Sequence, residues 1–203
     1  MRKLPAAFYL TDDVIHAAQT LLGKLLVTRF DGLYTSGRIV ETEAYNGVVD
    51  RASHSYNNRR TARTEVQFGK GGKAYVYLCY GIHHLFNVTL APEGHPLVVL
   101  IRAIEPVAGI DTMLARANKS SPDNSLGRGP GNVTRVLGIH TAHSGDSLQK
   151  EISIYDDGYV LPPAEMGVSA RIGVDYAGQD ALLPYRFYIK GNASVSGPLK
   201  WRT

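Results

Sequence analysis

Asp31-Gly32, set between two strand-patterned apolar runs, is the strongest short hairpin signal in the chain. It joins Lys24 to Phe30 to a return strand, Leu33 to Tyr45. Three more strands follow at hairpin spacing, Ala74 to Tyr80, Leu85 to Leu90 and Leu97 to Ile104, separated by Gly81-Ile82-His83 and by Pro92-Glu93-Gly94. Leu97, Val98, Val99, Leu100 and Ile101 make the last of these nearly all apolar. That predicts a central strand covered on both faces. A chain so punctuated is committed to an antiparallel sheet.

The other elements are short. A helix is expected over residues 11–22, with Thr11 capping, Asp12 and Asp13 in the first turn, and Gly23 ending it. A second helix is expected over 107–117, and a third opens at Gly129-Pro130-Gly131 and stops at Gly138. The orphan amides at that third start suit an anion, or simply an ordinary helix beginning. Ile152 to Tyr155, Ala170 to Val174 and Tyr185 to Ile189 read as strands. This order predicts an α+β fold with a largely antiparallel sheet.

At 203 residues and 44% hydrophobic composition, the chain can bury one substantial core, which predicts a single domain over residues 1–203. A pI near 9.1 with net charge +4 fits a polyanionic partner without requiring one. The single cysteine, Cys79, excludes an intramolecular disulfide and, lying in a strand, reads as a packed residue rather than a nucleophile. No apolar run approaches a membrane span and no signal-peptide core follows Met1, so no membrane association and a cytoplasmic location are expected. His54, His83, His84, His95, His140 and His143 never fall into metal-ligand spacing, and Gly69-Lys70-Gly71-Gly72-Lys73 lacks the spacing of a phosphate loop.

Chemistry concentrates in Gly37 to Tyr45. Val40, Thr42 and Ala44 alternate with Glu41, Glu43 and Tyr45, which places two carboxylates and a tyrosine on one face. A solvated strand face would account for that, but Arg102, directly after the apolar run, needs a partner if buried, and Glu43 or Glu41 is the candidate. Residues 46–73 form a long polar loop carrying Arg51, Arg59, Arg60 and Arg63, suited to phosphates or merely solvated. A carboxylate, an arginine, a histidine and tyrosines beside a basic loop suit hydrolysis of a glycosidic bond to a flat base.

The motifs Glu41-Thr-Glu43-Ala-Tyr45, Ala52-Ser-His54-Ser, Tyr75-Val-Tyr77-Leu-Cys-Tyr80-Gly81, Asn87, Arg102-Ala-Ile-Glu105-Pro106, Gly129-Pro-Gly131 and Arg186-Phe-Tyr occur in this order. Together they closely resemble the alkyladenine (3-methyladenine) DNA glycosylase family, over roughly residues 4 to 198. The resemblance implies one α+β domain with a curved sheet, flanking short helices and a protruding hairpin. It implies a monofunctional base-excision enzyme, monomeric, nucleoid-associated through its DNA, acting on duplexes with damaged purines and needing no cofactor or metal. Glu43 matches the general base, with Arg102 holding it and the attacking water. Tyr45, His54 and Tyr77 match the walls of the purine pocket, and Asn87 the residue that crowds a guanine 2-amino group. Tyr80 matches the side chain that fills the hole left by the flipped nucleotide. Arg59, Arg60, Arg63, Gly129 and Gly131 are the expected DNA contacts, and Glu41 a supporting carboxylate. The sequence departs from the family at Asn132, where a basic residue is usual, at Tyr185, where a tryptophan is common, and at His83-His84 in place of a more apolar pair.

Two other functions compete. A non-catalytic nucleic-acid-binding module would use the arginines and tyrosines but leave Glu43 and Arg102 unexplained. A hydrolase of free nucleosides would have no use for clustered arginines.

Overall fold

The computed structural model describes residues 1–197; the remaining six residues of the expected single domain, and residue 198 at the end of the resemblance, lie outside them. The strands are β1 (Arg2–Lys3), β2 (Leu25–Phe30), β3 (Leu33–Tyr45), β4 (Ala74–Cys79), β5 (His83–Leu90), β6 (Leu97–Ala108), β7 (Ile152–Asp156), β8 (Met166–Ser169) and β9 (Arg186–Ile189). They form one sheet in the order β1-β7-β2-β3-β6-β5-β4, with β9 added to β3 and β8 to β9. Every pairing is antiparallel, and the fold is α+β as expected.

The Asp31-Gly32 turn forms as read, with φ of 53° and 76° at its two residues, the left-handed pair that matches strand twist. The strand that returns from it, β3, is the spine of the sheet. Its first half pairs with β2, its second half with β9, and β6 runs along its other edge. Leu97 to Ile101 of β6 are all buried, and β6 lies between β3 and β5, so the central placement predicted from its apolar run holds.

Helix α1 (Val14–Leu21) lays Val14, Ala17, Ala18 and Leu21 on β3 and β6, all buried. It begins later than expected. Asp13, not Thr11, is the cap, accepting from His16 N at 2.8 Å, while Thr11 Oγ1 accepts from Asp13 N in the turn before. The loop 46–73 holds a one-turn helix, α2 (Glu65–Phe68). Helix α3 (Ile110–Ala117) starts beyond the expected residue 107 because β6 keeps pairing with β3 as far as Ala108. Helix α4 (Pro130–Leu137) packs on β5 and β6 and ends at Gly138, φ 72°.

One predicted strand is wrong. Ala170 to Val174 is irregular, and the strand lies earlier, at β8. The alternation of Val168, Ala170 and Ile172 runs past the true strand end, but Gly173 takes φ 77° and Ile172 N donates to a side chain instead of a ladder. Among the described residues no helix is long and apolar enough to cross a membrane.

Candidate active site

Register partners in an antiparallel sheet share a face. Glu43 pairs with Leu100, Leu100 with Asn87, and Asn87 with Tyr75. These four residues therefore make a row across β3, β6, β5 and β4, about 14 Å long at three strand spacings. Over this face lies a cleft of about 610 Å³, walled by Tyr45, His54, Tyr75, Tyr77, Asn87 and Arg102, among others.

Glu43 is fully buried, which removes the solvated-face explanation for it and for Glu41. Its Oε2 accepts from the Tyr45 hydroxyl at 2.9 Å and its Oε1 from Ile172 N at 2.9 Å. Arg102 Nε lies 3.5 Å from Oε1. Glu43 itself does not line the cleft; Tyr45, Arg102 and Ile172, its three neighbours, do. Burial, then the adjacent Glu43 carboxylate, pushes the Tyr45 pKa well above its ordinary value, so the phenol stays a donor.

Arg102 takes both partners that the sequence offered. Its Nε is 3.1 Å from Glu41 Oε1 as well as 3.5 Å from Glu43 Oε1. Burial alone would lower its pKa, but Glu43 and Glu41 outweigh this and raise it, so the guanidinium keeps its charge. The β3–β6 register slips on both sides of Glu41, passing from Ile39↔Ile104 to Glu41↔Ala103 and then Thr42↔Ile101. Arg102 thus falls at a bulge, a common device for re-aiming a side chain beside a site.

The carboxylate Glu41 is locked. It accepts from Arg186 Nε at 2.6 Å, Ser196 N at 2.8 Å and Ser196 Oγ at 2.8 Å. With its acceptor oxygens filled from the protein side and no exposure, it supports Arg102 and cannot meet a substrate.

The opposite end of the row is aromatic. The His54 and Tyr77 rings meet edge to face at 4.6 Å, and His54 Nδ1 lies 2.8 Å from the Tyr75 hydroxyl. The pKa of His54 is pushed down to about 4 by burial, then by Arg63 and Arg59, so it is neutral at physiological pH. Asn87 is buried and turns Nδ2 to Tyr75 O at 3.1 Å.

The arginine loop does not act as one patch. The Arg63 guanidinium lies 4.7 Å over the Tyr77 ring at the cleft wall. Arg60 does not line the cleft; it is paired with Glu65 at 2.6 Å and stacked on Phe68. Arg59 is exposed and close enough to act on His54.

Tyr80 sits at the tip of the β4–β5 hairpin, 89% exposed, with φ 51°. A tyrosine in the left-handed region costs energy that the fold must supply elsewhere, and such strain clusters at functional sites. Leu78 and Ile82 flank it, both exposed. His83 and His84 brace this hairpin: a Cβ on Gly131 would meet His83 Nδ1 at 2.8 Å, and His84 O accepts from Thr134 Oγ1 at 2.6 Å. Gly131 is therefore required for α4 to approach the hairpin, and Gly129, at φ 84°, for the turn into α4. The amides of Asn132 and Val133 already donate to Gly129 O, at 3.0 and 3.1 Å, so the helix start offers less to an anion than its sequence suggests. Both glycines line the cleft, as does Cys79, which is half-buried at the end of β4 rather than packed away. Among the described residues no group of three or more His, Cys, Asp or Glu side chains could hold a metal ion.

A model of the methylpurine-DNA glycosylase family matches residues 7–193. The chain belongs to that family. It is 46% identical over 201 residues to a protein of Bacillus cereus (strain G9842). It is 45% identical over 201 residues to one of Bacillus thuringiensis (strain Al Hakam). Both relatives are provisionally named 3-methyladenine DNA glycosylase, and each alignment covers 95% of this chain and 98% of the relative. Family membership makes the protein a DNA glycosylase, a hydrolase of N-glycosyl bonds with DNA as its substrate, and excludes the non-catalytic binding module.

Several members of the site were not identified from the sequence. Arg171 is buried between the Tyr45 and Tyr185 rings, 4.8 and 5.3 Å from their centroids, and is paired with Asp50 through Nη2–Oδ1 at 2.8 Å. It also donates to Ala44 O at 2.9 Å, fixing the segment that carries Tyr45. Tyr185 serves as one face of that arginine's stack. In the sequence Asp50, beside Arg51 in the polar loop, is indistinguishable from ordinary loop charge. Arg186 stood in a recognised motif with no role attached.

Proposed function

We propose that this glycosylase excises damaged purines from duplex DNA, among them 3-methyladenine, 7-methylguanine, hypoxanthine and ethenoadenine, by hydrolysis that leaves an abasic site. The observation that supports it most is the meeting of Glu43, Arg102 and Tyr45 at one end of an aromatic cleft beside a strained, exposed Tyr80. The damaged nucleotide leaves the stack, and its base lies among Tyr45, His54 and Tyr77, whose faces also attract a cationic lesion. Water enters between Arg102 and Ile172 and adds to C1′ as its proton passes to Glu43. The C1′–N bond breaks with its electron pair leaving on the base, so an alkylated cationic purine departs neutral. Among the described residues no lysine lines the cleft, which favours water over an amine as nucleophile. Asn87 crowds a 2-amino group and so disfavours normal guanine, whereas 7-methylguanine, cationic in the duplex, has a weakened glycosidic bond that offsets the crowding. Arg59 and Arg63 hold phosphates near the flipped nucleotide, Arg60 joins them by exchanging Glu65 for phosphate, and Gly129 and Gly131 admit the backbone. The enzyme acts as a monomer in the cytoplasm, where the DNA lies.

The direct test is base release from duplexes each carrying one defined lesion, beside the corresponding free nucleosides. Release from duplex with an intact abasic product and none from nucleoside is expected. Equal turnover of the nucleoside, or no release from any lesion duplex, would reject the reading.

Tyr80→Ala is expected to slow excision of well-paired lesions by about ten- to a hundredfold, since a wedge offsets an unstacking cost of a few kcal/mol. Mismatched lesions, already partly unstacked, should lose less. Equal losses on both, under single-turnover conditions, would make Tyr80 a merely structural residue.

A further inference from the structure

Gln67 is the buried polar group that the mechanism above leaves unused. It lies on α2, 1% exposed, and lines the cleft near Tyr75. Neither its Nε2 nor its Oε1 has a hydrogen-bond partner among the described residues. Its amide is near enough to the Tyr75 phenol to favour that group's anion slightly, behind the larger effects of burial and Arg63, but not at bonding geometry. Burying an amide without partners costs folding free energy that a methionine of the same length would not. The neighbours show that the helix itself does not require glutamine here. Phe68 supplies the apolar anchor, and Glu65 is held outside by Arg60.

Its place in the sheet says which part of a ligand it meets. Glu43 and Tyr75 stand at opposite ends of the four-residue row, and Gln67, which acts on the Tyr75 phenol, belongs to the Tyr75 end. A purine whose C1′ lies near Glu43 and Arg102 points its six-position away from them. We propose that Gln67 is a specificity-determining residue that hydrogen-bonds the six-position edge of the flipped purine. Resting on the purine-pocket reading, this adds a reader that serves two substrate classes. The amide turns about its terminal torsion at little cost. In one orientation Oε1 accepts from the 6-amino group of an adenine-derived lesion; in the other Nε2 donates to the 6-oxo group of hypoxanthine or 7-methylguanine. A carboxylate could serve only the first class.

The test compares wild type, Gln67→Met and Gln67→Glu in single-turnover release of 3-methyladenine (6-amino) and hypoxanthine (6-oxo) from duplex, with thermal unfolding of each protein. The Met variant should lose about ten-fold on both lesions, one neutral hydrogen bond's worth, while its unfolding midpoint rises. The Glu variant should keep 3-methyladenine release within a few-fold and lose at least ten-fold more on hypoxanthine. Met rates within two-fold of wild type, equal losses of both lesions in the Glu variant, or a lower midpoint for the Met variant would each overturn the proposal. Should the Glu variant not fold, the two Met rates and the midpoint decide alone. Failure of the wild type to release either base would instead reject the purine-excision reading beneath it.

Discussion

Glu43→Gln is expected to abolish excision, by at least the 10²- to 10⁴-fold that a positioned general base contributes, while binding of lesion-bearing duplex survives or tightens. The substitution is nearly isosteric, so Tyr45, Arg102 and Ile172 keep their places. Two donors now address the carboxylate, Tyr45 OH and Ile172 N–H, each at 2.9 Å. An amide has one acceptor oxygen, so one donor must turn away at about 1 kcal/mol, a tolerable loss for a folded domain. What the amide cannot do is take a proton from water. Removing a negative charge from just behind the wall of a DNA-facing cleft also lessens its repulsion of phosphate, hence the expected gain in binding. Single-turnover rates and a binding isotherm on the same lesion duplex check both halves. Activity within a few-fold of the parent would mean that Glu43 is not the base, and Glu41, closed off by Arg186 and Ser196, would not be its replacement.

Much of this could be read from the chain because the signals are local. Asp31-Gly32 fixes a hairpin through two residues that tolerate left-handed backbone, and Gly138 stops α4 for the same reason. The apolar run of β6 places that strand at the centre whatever its partners are. Glu43, Tyr45 and Arg102 could be proposed together because a charge following a buried run demands a counter-charge, and the motif resemblance narrowed the roles. What stayed hidden depends on long-range partners. Arg171 and Asp50 are far apart in sequence, and the irregular segment that carries Arg171 looks like a strand until its amide donor is found on Glu43. The bulge at Arg102 depends on the register of β3, which no pattern within β6 encodes. Arg60 reads like Arg63 in composition, yet a glutamate five residues on turns it from the cleft. Gln67 lies in a loop whose general polarity gave no reason to single it out.

Glu41→Ala should show the opposite phenotype to Glu43→Gln: a fold badly weakened rather than a fold intact and inactive. Glu41 and Arg186 are both fully buried, 2.6 Å apart, and Arg102 is mostly so. Removing the carboxylate takes from the buried Arg186 the acceptor at its Nε, and deprotonation offers no escape for a guanidinium. Breaking a buried pair from one side costs about 3–5 kcal/mol, a large share of the 5–15 kcal/mol that holds a typical domain together. For a chain of this size that corresponds to an unfolding midpoint lower by roughly 6–20 °C. The cost lies mostly in a buried guanidinium losing this carboxylate and not in a strong bridge, so replacing both partners should recover part of it. Glu41→Leu combined with Arg186→Met is expected to be more stable than Glu41→Leu alone, by coupling of at least about 1 kcal/mol. Full recovery is not expected, because Arg102 also loses Glu41, and Ser196 loses the acceptor for its N–H and hydroxyl. Thermal and denaturant unfolding of the two single variants and the pair closes the cycle. A Glu41→Ala protein that melts with the parent would show that this carboxylate is not what keeps two arginines inside the sheet, and its separation in role from Glu43 would collapse.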